Sequence, residues 1–206
     1  MTAKMNRLLM FSLCLCLLCS CAINRANIPI DNNSVQPGTS VTMGGQSLKL
    51  MGKPIAVGDS LPSVDLVDAM TMKPVDLSKM KGMFLFLSIV PSVDTPVCEA
   101  QTHYLGEKGN KLAPEIIRIT ISRDTPFAQK RFAKEAKLEH IQFLSDYKEG
   151  AFGRATGLLM DGLMLLARSV VIVDREGKVR YIQVVPEITH LPDMERAFQK
   201  AGELAR

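Results

Sequence analysis

The chain has 206 residues, 47% of them hydrophobic, and a net charge of +4 at pH 7. That length supports one sizeable core with something added. The small positive charge is spread over scattered Lys and Arg, with no basic stripe interleaved with aromatics, which excludes a nucleic-acid-binding design.

Residues 1–21 read as a lipoprotein-type signal peptide. Lys4 and Arg7 form a short basic region, and residues 8–18 are apolar apart from Ser12. A run of that length suits a signal peptide better than a spanning helix. It closes on Leu18-Cys19-Ser20-Cys21-Ala22, where a small residue before Cys resembles the bacterial lipobox. Cys21 is then the lipidated first residue of the mature chain. Cys19 departs from that pattern. Two alternatives stand beside this reading: a metal-thiolate cluster of Cys14, Cys16, Cys19 and Cys21, and a true start downstream, for example at Met43. The first lacks any His or acidic neighbour. Ala22 after Cys21, by resemblance to Gram-negative lipoproteins, leans to the outer membrane. The expectation is a lipid anchor to the bacterial envelope, facing the periplasm or in the outer membrane. With a mis-assigned start the protein would be cytoplasmic.

Residues 22–40 are polar, rich in Asn, Ser, Pro and Gly, and are expected to form a flexible tether. The domain proper is expected over 41–206. Val41-Thr42-Met43, Gly44-Gly45 and Leu48-Lys49-Leu50 predict a hairpin. Residues 64–67 and 73–77 are short strand candidates. The run 83–90, apolar but for Ser88, predicts a central strand covered on both faces. A helix is expected from Thr95 to about Leu105, a buried strand at 115–121, a helix at 126–137 and a short strand at 141–144. A helical turn at 151–155 follows. Strands 169–173 and 179–185 flank the tight turn Asp174-Arg175-Glu176-Gly177. A last helix is expected over 191–204, opened by Pro192. This order fits an α/β sandwich.

Cys98 is the only cysteine after the leader. Thr95 suits an N-cap and Pro96 the first helical position, which puts Cys98 at the third. Unpaired N–H groups and the positive end of the helix dipole stabilise an anion there, and the thiolate is the nucleophilic form of cysteine. The plain alternative is a small buried hydrophobe, the usual fate of a free cysteine.

Pro91-x3-Thr95-x2-Cys98 resembles the active-site motif of peroxiredoxins. The stretch from Val90 to Thr102 is similar to the thiol peroxidase branch of that superfamily. So are residues 121–132, Leu144-Ser145-Asp146, Phe152-Gly153, Leu166-Ala167-Arg168, Val185-Pro186-Glu187-Ile188-Thr189 and Pro192-Asp193. The resemblance implies a thioredoxin fold of the peroxiredoxin type, α/β with a central mixed sheet, flanking helices and an N-terminal β-hairpin. It implies a homodimer, no cofactor, and reduction of hydrogen peroxide and organic hydroperoxides. Cys98 would be the peroxidatic cysteine. Thr95 would hydrogen-bond the peroxide, Pro91 would shield the thiolate from water, and Arg168 would stabilise the thiolate and the leaving oxygen.

Two departures follow from that resemblance. The family's resolving cysteine falls at Ala133 here, so a cycle with one cysteine of the chain is expected. A thioredoxin-like protein or a small thiol would then be the reductant. A peroxide sensor or binding protein without efficient turnover is the alternative. Thr156 stands where the family often has Tyr. His103, His140 and His190 are not spaced as metal ligands. Asp124 and Glu187 lie in matching motifs, with structural and catalytic roles both open.

Overall fold

The computed structural model describes residues 28–206; the expected signal peptide, Cys21 and residues 22–27 lie outside the described residues. The first elements are β1 (Ile30–Asp31), β2 (Ser40–Met43) and β3 (Gln46–Met51), followed by β4 (Asp65–Asp68), β5 (Pro74–Asp76) and β6 (Phe84–Ile89). Next come α1 (Pro96–Lys108), β7 (Ile116–Ser122), α2 (Pro126–Glu135) and β8 (Gln142–Ser145). The chain continues through α3 (Ala151–Thr156), β9 (Leu159–Met160), β10 (Ser169–Val173) and β11 (Val179–Val184). It ends with β12 (Leu191–Pro192) and α4 (Met194–Leu204).

Seven strands form one sheet in the order β11-β10-β6-β7-β8-β4-β5. β6, β7 and β8 run parallel to their neighbours within that trio, and the flanking pairs are antiparallel. The mixed sheet, flanking helices and hairpin are those expected of an α/β thioredoxin fold. β6 is buried at every position, as a run apolar but for Ser88 requires of a strand covered on both faces. Its side chains alternate with the strand period of two. Leu85, Leu87 and Ile89 point into the core shared with Val41, Leu50, Leu159 and Leu166 of the hairpin side. Phe84 and Phe86 point into the other core, with Cys98 and Leu105 of α1, Phe132 of α2 and Phe198 of α4. The Phe86 ring meets Phe198 edge-on at 5.2 Å between centroids, a favoured aromatic geometry.

The hairpin turn is Gly44-Gly45, at φ of 58° and 83°. Two consecutive positive φ values match a tight two-residue hairpin and favour glycine at both. α4 buries Met194, Ala197, Phe198 and Ala201, the three-four spacing of one helix face.

Two expectations are corrected. The last helix starts at Met194, not at residue 191, because the Asp193 side chain accepts from Arg196 N at 2.9 Å and caps it there. Leu191 and Pro192 instead pair with Ile30 and Asp31 as parallel strands. The expected tether over 22–40 is bound to the domain from residue 28 onward. Val35 N donates to Val184 O at 3.0 Å, Gly38 N to Gly157 O at 2.8 Å, and Gln183 Nε2 to Asp31 O at 2.7 Å. β11 is the outermost strand of its sheet, and an open edge carries main-chain groups that seek partners. Main-chain pairing of this kind leaves no hydrophobic period in the sequence.

Candidate active site

The Pro91–Cys98 segment leaves the end of β6 and enters α1. Thr95 is the N-cap residue in extended conformation and Pro96 the first helical residue, so Cys98 occupies the third position as expected. The cap itself differs from expectation. The Thr95 hydroxyl donates to Ser92 O at 3.2 Å, and α1 has no side-chain cap. Thr125-Pro126 opens α2 with the same dipeptide, and there the threonine hydroxyl does accept from Ala128 N at 3.3 Å. Of two Thr-Pro helix starts, the one bearing the cysteine leaves its first-turn N–H groups uncapped by a side chain. Such a helix end favours a nearby anion.

Cys98 is fully buried, and it is the free cysteine of the described residues. The Arg168 guanidinium, 2% exposed, reaches it from the loop before β10. Arg168 Nη2 lies 3.3 Å from Cys98 Sγ. Nη1 donates to Gln101 Oε1 at 2.9 Å and Nε to Ile188 O at 2.8 Å. Of these three partners only the sulfur can carry a negative charge. A buried cation is costly unless paired, and Arg168 meets that cost with these three acceptors.

Gln101 completes this site and carried no role in the sequence reading. It lies three residues after Cys98, on the same helix face. Its amide nitrogen donates to Ser88 Oγ at 2.9 Å while its oxygen accepts from Arg168. Gln101 and Ser88 are both fully buried. A polar residue at i+3 on a face that must pack into a core was the available signal. Thr102 donates to Cys98 O at 2.8 Å.

Pro91 is buried at the end of β6 and Thr95 is exposed. The residues between them are held by Asp124, which accepts from Ser92 Oγ and Val93 N, both at 2.7 Å, and from Ser122 Oγ at 2.6 Å. Asp124 is thereby a structural clamp on the loop that precedes the cysteine. An open groove of about 580 Å³ runs beside the helix start, with Asp94, Thr95, Glu99 and His103 on one side and Phe132 and Glu135 on the other. Ala133 is 4% exposed and belongs to the same apolar core as Cys98. His103 lies on α1 between Glu99 and Glu107, at 3.6 and 3.5 Å. Among the described residues, no three His, Cys, Asp or Glu side chains gather as a metal site.

Residues 56–198 match the family described as Redoxin. A thiol peroxidase of Halalkalibacterium halodurans is 39% identical over 162 residues, which are 79% of this chain and 96% of that protein. A thiol peroxidase of Bacillus subtilis is 36% identical over 166 residues, 81% of this chain and 98% of its own. A peroxiredoxin-like protein from Aquifex aeolicus superimposes with a TM-score of 0.75 at 32% identity, covering 84% of this chain and 99% of that one.

Proposed function

Because this chain belongs to the Redoxin family and to its thiol peroxidases, and is a thiol-dependent peroxidase, we propose that Cys98 is its peroxidatic residue in a cycle that uses no second cysteine of the chain. The observation that carries this reading is the contact of 3.3 Å between Arg168 Nη2 and Cys98 Sγ at an uncapped helix start.

The Cys98 thiolate attacks one peroxide oxygen. The O–O bond breaks, and the other oxygen leaves as hydroxide or alkoxide and takes up a proton. The sulfur becomes a sulfenic acid. Arg168 stabilises both the thiolate and the charge developing on the leaving oxygen, as a preorganised donor in a site closed to water. The Thr95 hydroxyl turns from Ser92 O to the peroxide. Buried Pro91 keeps water from the sulfur.

An outside thiol then attacks the sulfenic sulfur and water leaves. A second thiol attacks the resulting mixed disulfide and returns Cys98 to its reduced form. A thioredoxin-like protein or a small thiol supplies both electrons. The support for this half of the cycle is that Cys98 has no companion cysteine after Cys21, and that by resemblance Ala133 stands where the family's resolving cysteine falls. Peroxide treatment followed by intact-mass analysis tests it. A sulfenic or sulfinic adduct on Cys98 is the expected product. A monomer two hydrogens lighter, with Cys98 in an internal disulfide, sinks the one-cysteine cycle. Sustained peroxide consumption with dithiothreitol or thioredoxin, lost in Cys98→Ser, separates turnover from one-time sensing.

The protein acts as a homodimer held to the bacterial envelope by a lipid on Cys21. Phe127, 71% exposed at the start of α2, supports a covered surface in the assembly. Sedimentation of the wild type against Phe127→Ser tests the dimer, and a monomeric wild type rejects it. Metabolic lipid labelling, absent in Cys21→Ala, tests the anchor; an unlabelled wild type rejects it.

A further inference from the structure

We propose that Glu187 is a positioning residue for Arg168, acting through the tip of the N-terminal hairpin and the carbonyl of Ile188. This inference rests on the reading that Arg168 serves Cys98.

A guanidinium is planar, with its N–H bonds in a fixed fork. Two of those bonds, once anchored, decide where the third points. In Arg168 the anchors are Gln101 Oε1 on Nη1 and Ile188 O on Nε, and the third direction is the Cys98 sulfur. Gln101 belongs to the helix that carries the cysteine and moves with it. Ile188 belongs to the loop between β11 and β12, so the angle of the fork depends on what fixes that loop.

The loop is fixed by the hairpin. Thr42 N donates to Pro186 O at 2.7 Å, and Ile188 N donates to Thr42 O at 2.9 Å. Between these two bonds sits Glu187. Its Oε2 accepts from the Thr42 hydroxyl at 2.8 Å and from Gly45 N at 3.3 Å. Its Oε1 accepts from Gly44 N at 3.1 Å and from Thr189 N and Oγ1 at 3.2 and 2.8 Å. One carboxylate thus takes five hydrogen bonds from the strand, the turn and the loop. It locks the residue next to Ile188 on both sides. Both turn glycines present their N–H groups to the same carboxylate, which ties the hairpin's sharp turn to the loop rather than to solvent. Burial pushes the Glu187 carboxyl up, but hydrogen bonds from Thr189, Thr42 and Gly44 outweigh it and hold it at about 2. The lock is therefore charged at neutral pH.

A role in hairpin stability alone would predict a lower melting temperature and an unchanged site. Positioning predicts an effect that needs Arg168. The rate of Cys98 oxidation by hydrogen peroxide, read by quenched mass analysis, is measured in Glu187→Ala, Arg168→Ala and the double variant. Misplacing a catalytic group by about an ångström can cost on the order of a hundredfold, and Glu187→Ala is expected to slow oxidation by about tenfold or more. In the Arg168→Ala background the same change is expected to alter the rate by less than about twofold, because coupled residues fail to add. Glu187→Gln, which keeps one acceptor, is expected to recover part of the rate. Should Glu187→Ala not fold, Thr42→Val and Thr189→Val each remove one donor to the carboxylate and are expected to slow oxidation in the same Arg168-dependent way. A melting temperature that falls while the rate stays within about twofold of wild type overturns the inference, as do effects that multiply in the double variant. If Arg168→Ala itself oxidises as fast as wild type, the role of Arg168 fails and the inference fails with it.

Discussion

Arg168 and Cys98 are 70 positions apart in the chain and 3.3 Å apart in the fold, both closed to solvent. The guanidinium meets the sulfur with one of three engaged nitrogens. Lysine at this position cannot reach Ile188 O, Gln101 and the sulfur together, because an ammonium is a point charge without a fork. Arg168→Lys and Arg168→Ala are both expected to slow Cys98 oxidation, on the order of a hundredfold to a thousandfold for alanine, the usual loss for one preorganised donor. Stopped-flow or quenched oxidation at fixed peroxide reads this directly. A lysine variant as fast as wild type would show that charge alone suffices.

Ala133 and Cys98 share one apolar core. Ala133→Cys places a second thiol on α2 without filling a polar site. After peroxide, the variant is expected to lose two hydrogens in intact mass and to accumulate less Cys98 sulfinic acid than wild type, since a disulfide competes with further oxidation. Unchanged sulfinic acid and no mass loss would mean that sharing this core does not bring the two sulfurs within bonding reach.

Asp124 clamps Ser92 and Val93, and Val93 is 1% exposed. Asp124→Ala leaves the buried Val93 N–H without its acceptor, which costs about 1–3 kcal/mol. A lower urea midpoint and a slower Cys98 oxidation are both expected, because the loop between Pro91 and Thr95 loses its fixed path. Stability lost with an unchanged oxidation rate would confine Asp124 to the fold.

Acid stability has a stated direction. Glu187 is held at about 2, against an ordinary 4.5. For Asp76, burial pushes the carboxyl up, but hydrogen bonds from Ser63, Ser78 and Lys79 bring it to about 2, against 3.8. A carboxyl depressed in the fold binds fewer protons folded than unfolded. Its contribution is complete above the unfolded value and is lost as pH falls through the folded one. Asp146 opposes them: burial raises it above 3.8 despite hydrogen bonds from Gly153 and Phe152, so its contribution declines as pH rises above 3.8. Melting temperature is therefore expected to fall between about pH 4.5 and 2. Glu187→Gln is expected to flatten that fall. An equally steep acid limb in the variant would show that other groups set it.

Much of this protein is legible in its sequence because the rules involved are local. The apolar run before Pro91 makes β6, Gly44-Gly45 makes the hairpin turn, and Thr95-Pro96 sets Cys98 at the third position of α1. Each depends on neighbours within a few residues, whose backbone preferences and periodicity act before any tertiary contact forms. Local rules failed where the same dipeptide met different surroundings. Thr125 caps its helix and Thr95 does not; the Thr95 hydroxyl donates instead to Ser92 O. They failed again at residues 28–40, whose pairing is mostly through main-chain groups and leaves no hydrophobic period.

The sequence by itself determined the position of the lone thiol, the order of the longer strands and helices along the chain, and the want of a second cysteine beside it. Only the tertiary structure decided what the thiol faces. Gln101 between Ser88 and Arg168, Ile188 O on the guanidinium, and Glu187 across 145 positions to Thr42 are all partners made by packing. The physical reason is burial: a charge taken out of water must find its hydrogen bonds among whatever groups the fold brings within reach, and those groups come from distant segments.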